Sequence, residues 1–590
     1  MKWCAFDIET QGQLSEFVLG AVWSDRVQTT TDDLETFVEL LRGHAELGYT
    51  LAAHNAEFDV VNALWRAGQD VTIHYYNAAF TTAYWFWHKR KPSVQIWDSL
   101  NLSAGLSLAA LGESLGCPKL PTPQRLKGVD PDRFAWICER HQVGECEDCY
   151  ALRDAEIVWR YVSDLDQFMG GYGLEMRRTL AANAVQLWRY FDPERQLTVR
   201  SDRITQLAAR AYHGGRCEPF MYGEAAPVYC YDYRNHYLTI QLETPMPDPR
   251  FLIYAEGWPR HLKWERVEGV IEAEVYQPPT HFPVLPAVHG DRIYYPVGLL
   301  RGCWTIAELR AALNRGAELR KVSRVVWTDR LVYPFSGFAG AMLVLDSELR
   351  GKRNPRRAVV KTLGNALPGR LGMVTGGKRQ IYRRRVPGMK QRDLAGAELL
   401  YSASSAYLVK EHDVPRPPQT SNVLWAANIT AHGRLRLLEG LEAAGTTALY
   451  CDTDSVFSTV PLSVGEDRPG HLREVGVYAR GLFLSPKMYR LEPAEGDHVL
   501  RAKGVPREVV EAYFASGSVK WDTNLGVIRA IGQDREPGSW MEVKRDRMLT
   551  PARRHLLNPA ALVDRGQLSE TEPIVFGPDG PMESPAEGGE

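Results

Sequence analysis

The sequence predicts several modules of mixed α/β and α+β class, on three observations. Short apolar runs rich in β-branched and aromatic residues alternate with segments of helical periodicity along the chain. With 590 residues, there is length for about three or four domains. The stretch TTALYCDTDSVFSTV, Thr446 to Val460, reads as a β-hairpin with Asp452 and Asp454 at its turn. Side chains repeat with period two along a strand, so those two carboxylates can share one side and suit a hard divalent cation.

Composition narrows the class. Apolar residues make up 44% and charged ones 24%, an ordinary globular balance, and no apolar run approaches the ~20 residues of a membrane span. MKWCAFDIET places acids where an export signal would be apolar, and nine cysteines, an odd number, form no evident disulfide framework. Both observations lead us to expect a reducing cytoplasm and no membrane partner. The net charge of −2 hides a strong asymmetry: Arg350 to Arg392 holds fourteen Lys or Arg and no Asp or Glu, whereas no Lys or Arg follows Arg565. A basic band of that length points to phosphate binding.

The amino-terminal third opens on WCAFDIET, Trp3 to Thr10, a buried strand with Asp7 and Glu9 on one face. LAAHNAEFDVVNAL is an apolar run followed by a helix beginning near Asn55 and carrying Asp59. In CYALRDAEIVWRYV, Tyr150 and Asp154 are four apart on a helix and therefore neighbours. Cys138, His141, Cys146 and Cys149 have the spacing of a tetrahedral zinc site, with apolar positions on two neighbouring helices as the alternative.

Further along, Trp188 to Leu207 is helical in pattern and leads to AYHGGRCEPF, with Tyr212, Gly214 and Gly215. EAAPVYCYDYRNHYLTI then brings a strand into Asp232, with Tyr237 five residues on. Thr305 to Leu319 is a predicted helix within a region of strands and Pro-rich patches. In RNPRRAVVKTLGNALPGRLG, Arg353, Arg357, Lys361 and Asn365 recur every four residues, so one helical face projects three cations suited to a triphosphate. Pro368 is expected to end or kink that helix. Trp425 to Ala444 is an amphipathic helix entering the Asp452 hairpin, and LSPKMYRLE supplies Lys487 and Tyr489, with Lys503 beyond as a possible backbone contact.

These motifs, in this order, resemble the family B DNA polymerases of the protein-primed type. The resemblance implies an RNase H-like 3′–5′ exonuclease domain (1–174) followed by a right-hand polymerase: linker and first palm (175–243), a first terminal-protein-region-like insertion (244–340), fingers (341–375), a second such insertion (376–423), second palm (424–505), thumb (506–565) and a disordered acidic tail (566–590). It implies that Asp7, Glu9, Asp59 and Asp154 hold two Mg²⁺ or Mn²⁺ ions and that Tyr150 contacts the attacking water. It gives Thr10, His54, Asn55, Phe58, Ser99, Leu100 and Lys127 to the single strand. For synthesis it implies that Asp232 and Asp454 hold two more ions, assisted by Asp452. Tyr237 would exclude a 2′-OH, Lys361, Asn365 and Arg357 would bind the nucleotide, and Tyr212, Gly214, Gly215, Lys487 and Tyr489 would bind DNA. Where the family usually has a tyrosine on the fingers helix, this chain has Pro368, which puts insertion fidelity in question. The implied partners are primer-template DNA, deoxynucleoside triphosphates and a terminal protein primer, acting on a monomer. A polymerase primed by RNA or DNA, or needing no primer, an exonuclease with a decayed polymerase domain, and a non-catalytic DNA-binding scaffold are the alternatives.

Overall fold

The computed structural model describes residues 1–76, 79–87, 93–103, 105–123, 146–193, 199, 201–259, 263–290, 292–350, 356–373, 376–382, 397–402, 405–414, 420–546, 554–556, 569–577 and 580–581. Seven strands form the amino-terminal sheet. Trp3–Gln11 lies in its interior, antiparallel to Glu16–Ser24 and parallel to Thr50–Ala53. Val94–Asp98, Ala79–Phe86 and Asp70–Tyr76 continue it on one side and Gln28–Thr31 ends it on the other. Helix Glu147–Gly170 packs across the first two strands with its apolar face inward. The expected helix near Asn55 starts there, with Asn55 at φ 62°, as the four-residue Ala56–Asp59, and passes into a wider-wound turn, Val60–Trp65.

One feature was invisible along the chain. The region expected as the second insertion does not stand alone: Gly376–Tyr382 pairs with Asp70–Tyr76, and Ser405–Val414 and Ala397–Ser402 follow, making one ten-stranded sheet among the described residues. Ile381, Tyr407 and Val409 join the core of the amino-terminal domain, so an edge that would otherwise be open is covered.

The palm is a five-stranded sheet in the order Leu472–Tyr478, Val228–Tyr233, Ser455–Ser458, Ala448–Asp452, Cys217–Pro219, backed by helix Val423–Ala444. The fingers are two helices, Ser336–Leu349 and Arg356–Leu371. The region expected as the first insertion is built on Ile253–Glu256, Glu268–Gln277, Val297–Thr305 and Glu318–Thr328. The thumb contains the hairpin Ser518–Asn524 with Trp540–Asp546 and the short helix Val527–Gly532, whose Val527 is buried in the amino-terminal core.

Four expectations are corrected. Trp188 to Leu207 is two helices, Leu180–Phe191 and Asp202–Ala211. Pro193 disfavours helix at Asp192, whose carboxylate instead accepts from the backbone N–H of Gly337 and Phe338, at 3.0 and 2.8 Å. The helix expected from Thr305 to Leu319 is Ile306–Leu313; Gly316, at φ 89°, turns the chain into strand Glu318–Thr328.

Pro368 does not end its helix, which continues to Leu371. A proline lacks the N–H that would bond the carbonyl four residues back. Here Gln241 Nε2 donates to that Gly364 oxygen at 3.3 Å, supplying the missing partner.

The acidic tail is not wholly disordered. Ser569–Pro573 pairs with Met221–Ala225 of the palm, and Val575–Gly577 pairs with Val297–Thr305 of the first insertion. Composition suggested a solvated tail, but Thr571 and Phe576 are buried, Phe576 within the core of the insertion and palm. Residues 582–590 lie outside the described residues.

Candidate active sites

In the palm, strand pairing converges the carboxylates. Asp232 lies opposite Ser455, and Ser455 lies opposite Asp452 on its other side. Tyr233 N–H donates to the carbonyl of Asp454 at 2.8 Å, so Asp232 and Asp454 are neighbours across two strands. Thr453, at φ 64°, makes the sharp turn between the two aspartates. Burial, then the charges of Asp232 and Asp452, push the Asp454 carboxyl up to about 7, with Lys361 opposing. Asp232 is likewise raised by burial, while Arg473, 3.7 Å away, and Lys361 pull it back. Lys487 Nζ stands 3.0 Å from Asp452 Oδ1.

The chain leaves Asp232 through Asn235, at φ 51°, into helix His236–Glu243, which carries Tyr237. Burial raises the Tyr237 hydroxyl to about 12, and the Asp454 charge adds to it. Gly433 of the palm helix lets this ring approach: a Cβ there would lie 3.0 Å from it. Tyr212 packs where a Cβ on Gly372, at the end of the fingers helix, would meet its ring, and a Cβ on Gly215 would meet Thr453 at 2.9 Å. Gly214 has open space around it.

Lys361 and Asn365 are exposed on one face of the fingers helix. Arg357 is not free for a triphosphate: its Nε donates to Asp346 at 2.9 Å, drawn there because that carboxylate is buried. Asp346 also accepts from Asn235 Nδ2 at 3.0 Å, which ties the fingers to the turn after Asp232. Arg353 lies outside the described residues. Tyr489 packs among Tyr450, Phe457 and Phe483, 5.4 to 6.1 Å between ring centres, and the Lys503 N–H donates to the carbonyl of Lys487 at 3.1 Å.

The second acidic centre lies in the amino-terminal domain. Ligand oxygens of Asp7, Glu9 and Asp154 all fall within 4.8 Å of one another. Asp59 sits beside them, accepting from Ile8 N–H at 3.2 Å. Burial, with the charges of Asp154 and Glu9, holds Asp7 well above the usual carboxylate range, and burial followed by the Asp7 charge does the same to Asp59. Burial and Asp154 push Glu9 up to about 8. Thr10 follows a register shift between Glu9 and Thr10. Tyr150, raised to about 12 mainly by burial, has its hydroxyl 3.1 Å from Thr122 Oγ1.

His54 Nδ1 lies 2.8 Å from Ser99 Oγ, and burial then Lys119 lower it to about 4. Phe58 faces Trp540 of the thumb, 6.4 Å between ring centres. Lys127, Cys138 and His141 lie outside the described residues, while Cys146 caps helix Glu147–Gly170 and Cys149 lies in its first turn.

Three residues escaped the sequence reading. Lys119 is ion-paired with Asp154 and lies 4.3 Å from the Tyr150 ring centre, a cation inside the acid cluster. Its loop carries no motif, so nothing in the sequence marked it. Asp98 accepts from the N–H groups of Asn55 and Leu100, both at 2.9 Å, fixing two predicted strand-contacting segments at once. Its place just before Ser99 is a capping signal that could have been read. Arg473, against Asp232, had no local signature.

Both centres suit divalent cations. Clustered carboxylates whose charged forms are disfavoured first by burial and then by one another are what a cation with oxygen ligands relieves.

The chain has a right-hand polymerase fold joined to an exonuclease-type domain that carries a second acidic centre. Residues 148–405 match the family described as "DNA polymerase type B, organellar and viral". That match covers less than half of the chain. The fold is similar to that of Phi29 DNA polymerase in its orthorhombic crystal form (TM-score 0.67, 15% identity, 93% of this chain and 100% of that one). It is also similar to Phi29 DNA polymerase complexed with primer-template DNA and incoming nucleotide substrates (TM-score 0.65, 14% identity, 93% and 99%). No curated protein matches the chain by sequence.

Proposed function

We propose that this chain is a family B, DNA-directed DNA polymerase that extends a primer 3′-OH at the palm and removes mispaired 3′ nucleotides at the amino-terminal centre, starting from a protein primer on a small linear viral or plasmid genome with strand displacement. The observation that carries the synthetic reading is the junction of Asp232 and Asp454 on neighbouring strands with Tyr237 beside them. Asp232 and Asp454, assisted by Asp452, would hold two Mg²⁺ or Mn²⁺ ions, which when bound acidify the attacking hydroxyl and neutralise the leaving pyrophosphate. Tyr237 presents a wall where a ribose 2′-OH would lie. Lys361 brings positive charge to the phosphates. Lys487 and Tyr489 grip the primer strand, and Tyr212, Gly214 and Gly215 the template.

For proofreading, Asp7, Glu9, Asp59 and Asp154 would hold the cations. Tyr150 orients the attacking water, and His54, Asn55, Phe58, Ser99 and Leu100 line the path of the frayed strand. Support for protein priming is the likeness of fold to Phi29 DNA polymerase, with strand-built segments at 253–328 and 376–414 where the two insertions are expected. The test is extension on a single-stranded circle by wild type, Asp232→Ala and Asp7→Ala, with a DNA primer or a terminal protein supplied. Growth past one circle length, abolished only by Asp232→Ala, is the expected result. Equal extension by Asp232→Ala would defeat the assignment.

A further inference from the structure

The first insertion carries no catalytic motif, yet one of its side chains is wired to the palm turn. Glu308 lies in the first turn of helix Ile306–Leu313 and is fully buried. Its two oxygens have separate partners. Oε2 accepts from Thr305, from N–H at 3.3 Å and from Oγ1 at 3.0 Å, in a capping box that fixes the side chain's direction. Oε1 accepts from Arg434 Nε and one terminal nitrogen, at 2.9 and 2.6 Å.

Arg434, 4% exposed, belongs to palm helix Val423–Ala444. Its other terminal nitrogen donates to the carbonyls of His213 and Gly214, at 2.6 and 2.9 Å. That loop reaches the aspartate turn directly. Thr453 N–H donates to Arg216 O at 2.7 Å, Gly215 abuts the Thr453 side chain, and Thr453 Oγ1 donates to Asp452 Oδ1 at 3.1 Å.

We infer that Glu308 is a positioning residue for nucleotide addition: through Arg434 it sets the 213–216 loop, and through that loop the Asp452–Asp454 turn. A planar guanidinium can hold a carboxylate and two carbonyls only in one orientation, so a displaced Glu308 moves all three acceptors together. The insertion, whatever docks on it, is thereby coupled to the palm carboxylates. Were Glu308 only a helix cap, Oε2 alone would suffice and Arg434 would need no second pair of acceptors.

This inference rests on the palm turn being the site of synthesis, and Asp454→Ala tests that separately: normal synthesis by that variant would remove the site, not the coupling. The decisive variant is the double exchange Glu308→Met with Arg434→Met. Replacing a buried ion pair by apolar residues of similar volume commonly leaves the fold intact, so the protein is expected to fold, melting somewhat below wild type because the His213 and Gly214 carbonyls lose their donor. The expected readout is a kcat for single-nucleotide addition lower by about tenfold or more, an unchanged KM for the nucleotide, and faster amide exchange at Gly214 and Gly215. Degradation of single-stranded DNA from its 3′ end stays at the wild-type rate. Glu308→Gln keeps the shape but removes the charge and turns one of the two acceptor oxygens into an N–H donor, and is expected to lower kcat by about threefold. A wild-type kcat in either folded variant overturns the inference.

Discussion

Deleting residues 566–590, the acidic stretch that composition marks as a tail, is expected to unfasten the palm from the first insertion. The magnitude follows from a few contacts. Phe576 is 6% exposed in a core shared by the insertion and the palm helix, and removing such a ring costs about 3–5 kcal/mol. Thr571 Oγ1 donates to Phe220 O at 2.8 Å and accepts from Arg554 Nε at 2.7 Å. Arg554 is 1% exposed, and its remaining partners are Glu218, the His281 carbonyl and the Thr571 carbonyl.

Without Thr571, a buried guanidinium loses two acceptors and Phe220 O loses its donors, each about 1–3 kcal/mol. The sum reaches about 5 kcal/mol or more, comparable to the whole stability of a domain. Hydrogen exchange is the appropriate assay, because a chain of several domains has no single unfolding free energy. Strands Met221–Ala225 and Val297–Thr305 should lose protection in the deletion, with Thr571→Val and Phe576→Ala giving graded losses, while Trp3–Gln11 keeps its protection. If both strands retain wild-type protection in the deletion and synthesis is unaffected, the reasoning is refuted.

Three other outcomes are expected. Glu9 and Asp454 have folded pKa values of about 8 and about 7 against ordinary values of 4.5 and 3.8. The folded state therefore keeps these protons longer than the unfolded one, and stability drops as pH rises from about 4 to about 8; added Mn²⁺ should raise the melting temperature more at pH 8 than at pH 5, an increment reduced in a Glu9→Gln, Asp454→Asn double variant. Lys119→Met removes the cation paired with Asp154 and should slow 3′-end degradation about a hundredfold, measured on single-stranded DNA, with primer extension intact. Gly433→Ala sets a methyl 3.0 Å from the Tyr237 ring on a helix backbone that cannot retreat, a strain of about 1–3 kcal/mol; it should raise the KM for deoxynucleotides and change the deoxy-to-ribonucleotide preference, with 3′-end degradation as the unaffected control.

Much was legible in the sequence because it was written locally. Asp7 and Glu9 share a strand face by period two, Tyr150 and Asp154 share a helix face by spacing four, and Asp452-Thr453-Asp454 sits at a turn between two apolar runs, so each acidic group could be found along the chain. Pro368 shows the limit of such rules: its missing hydrogen bond is supplied by Gln241, a residue over a hundred positions away, and the helix continues.

What only the tertiary structure decided is which charges and edges meet. Lys119 among the carboxylates, the second insertion on the edge of the amino-terminal sheet and the tail on the palm join segments distant in sequence, and Arg357 meets Asp346 only because two successive helices pack together. Periodicity reports which side of an element is buried. The partner against which it is buried is set by the packing of the whole chain, where a buried charge or an open strand edge takes whichever complementary group the fold brings within reach.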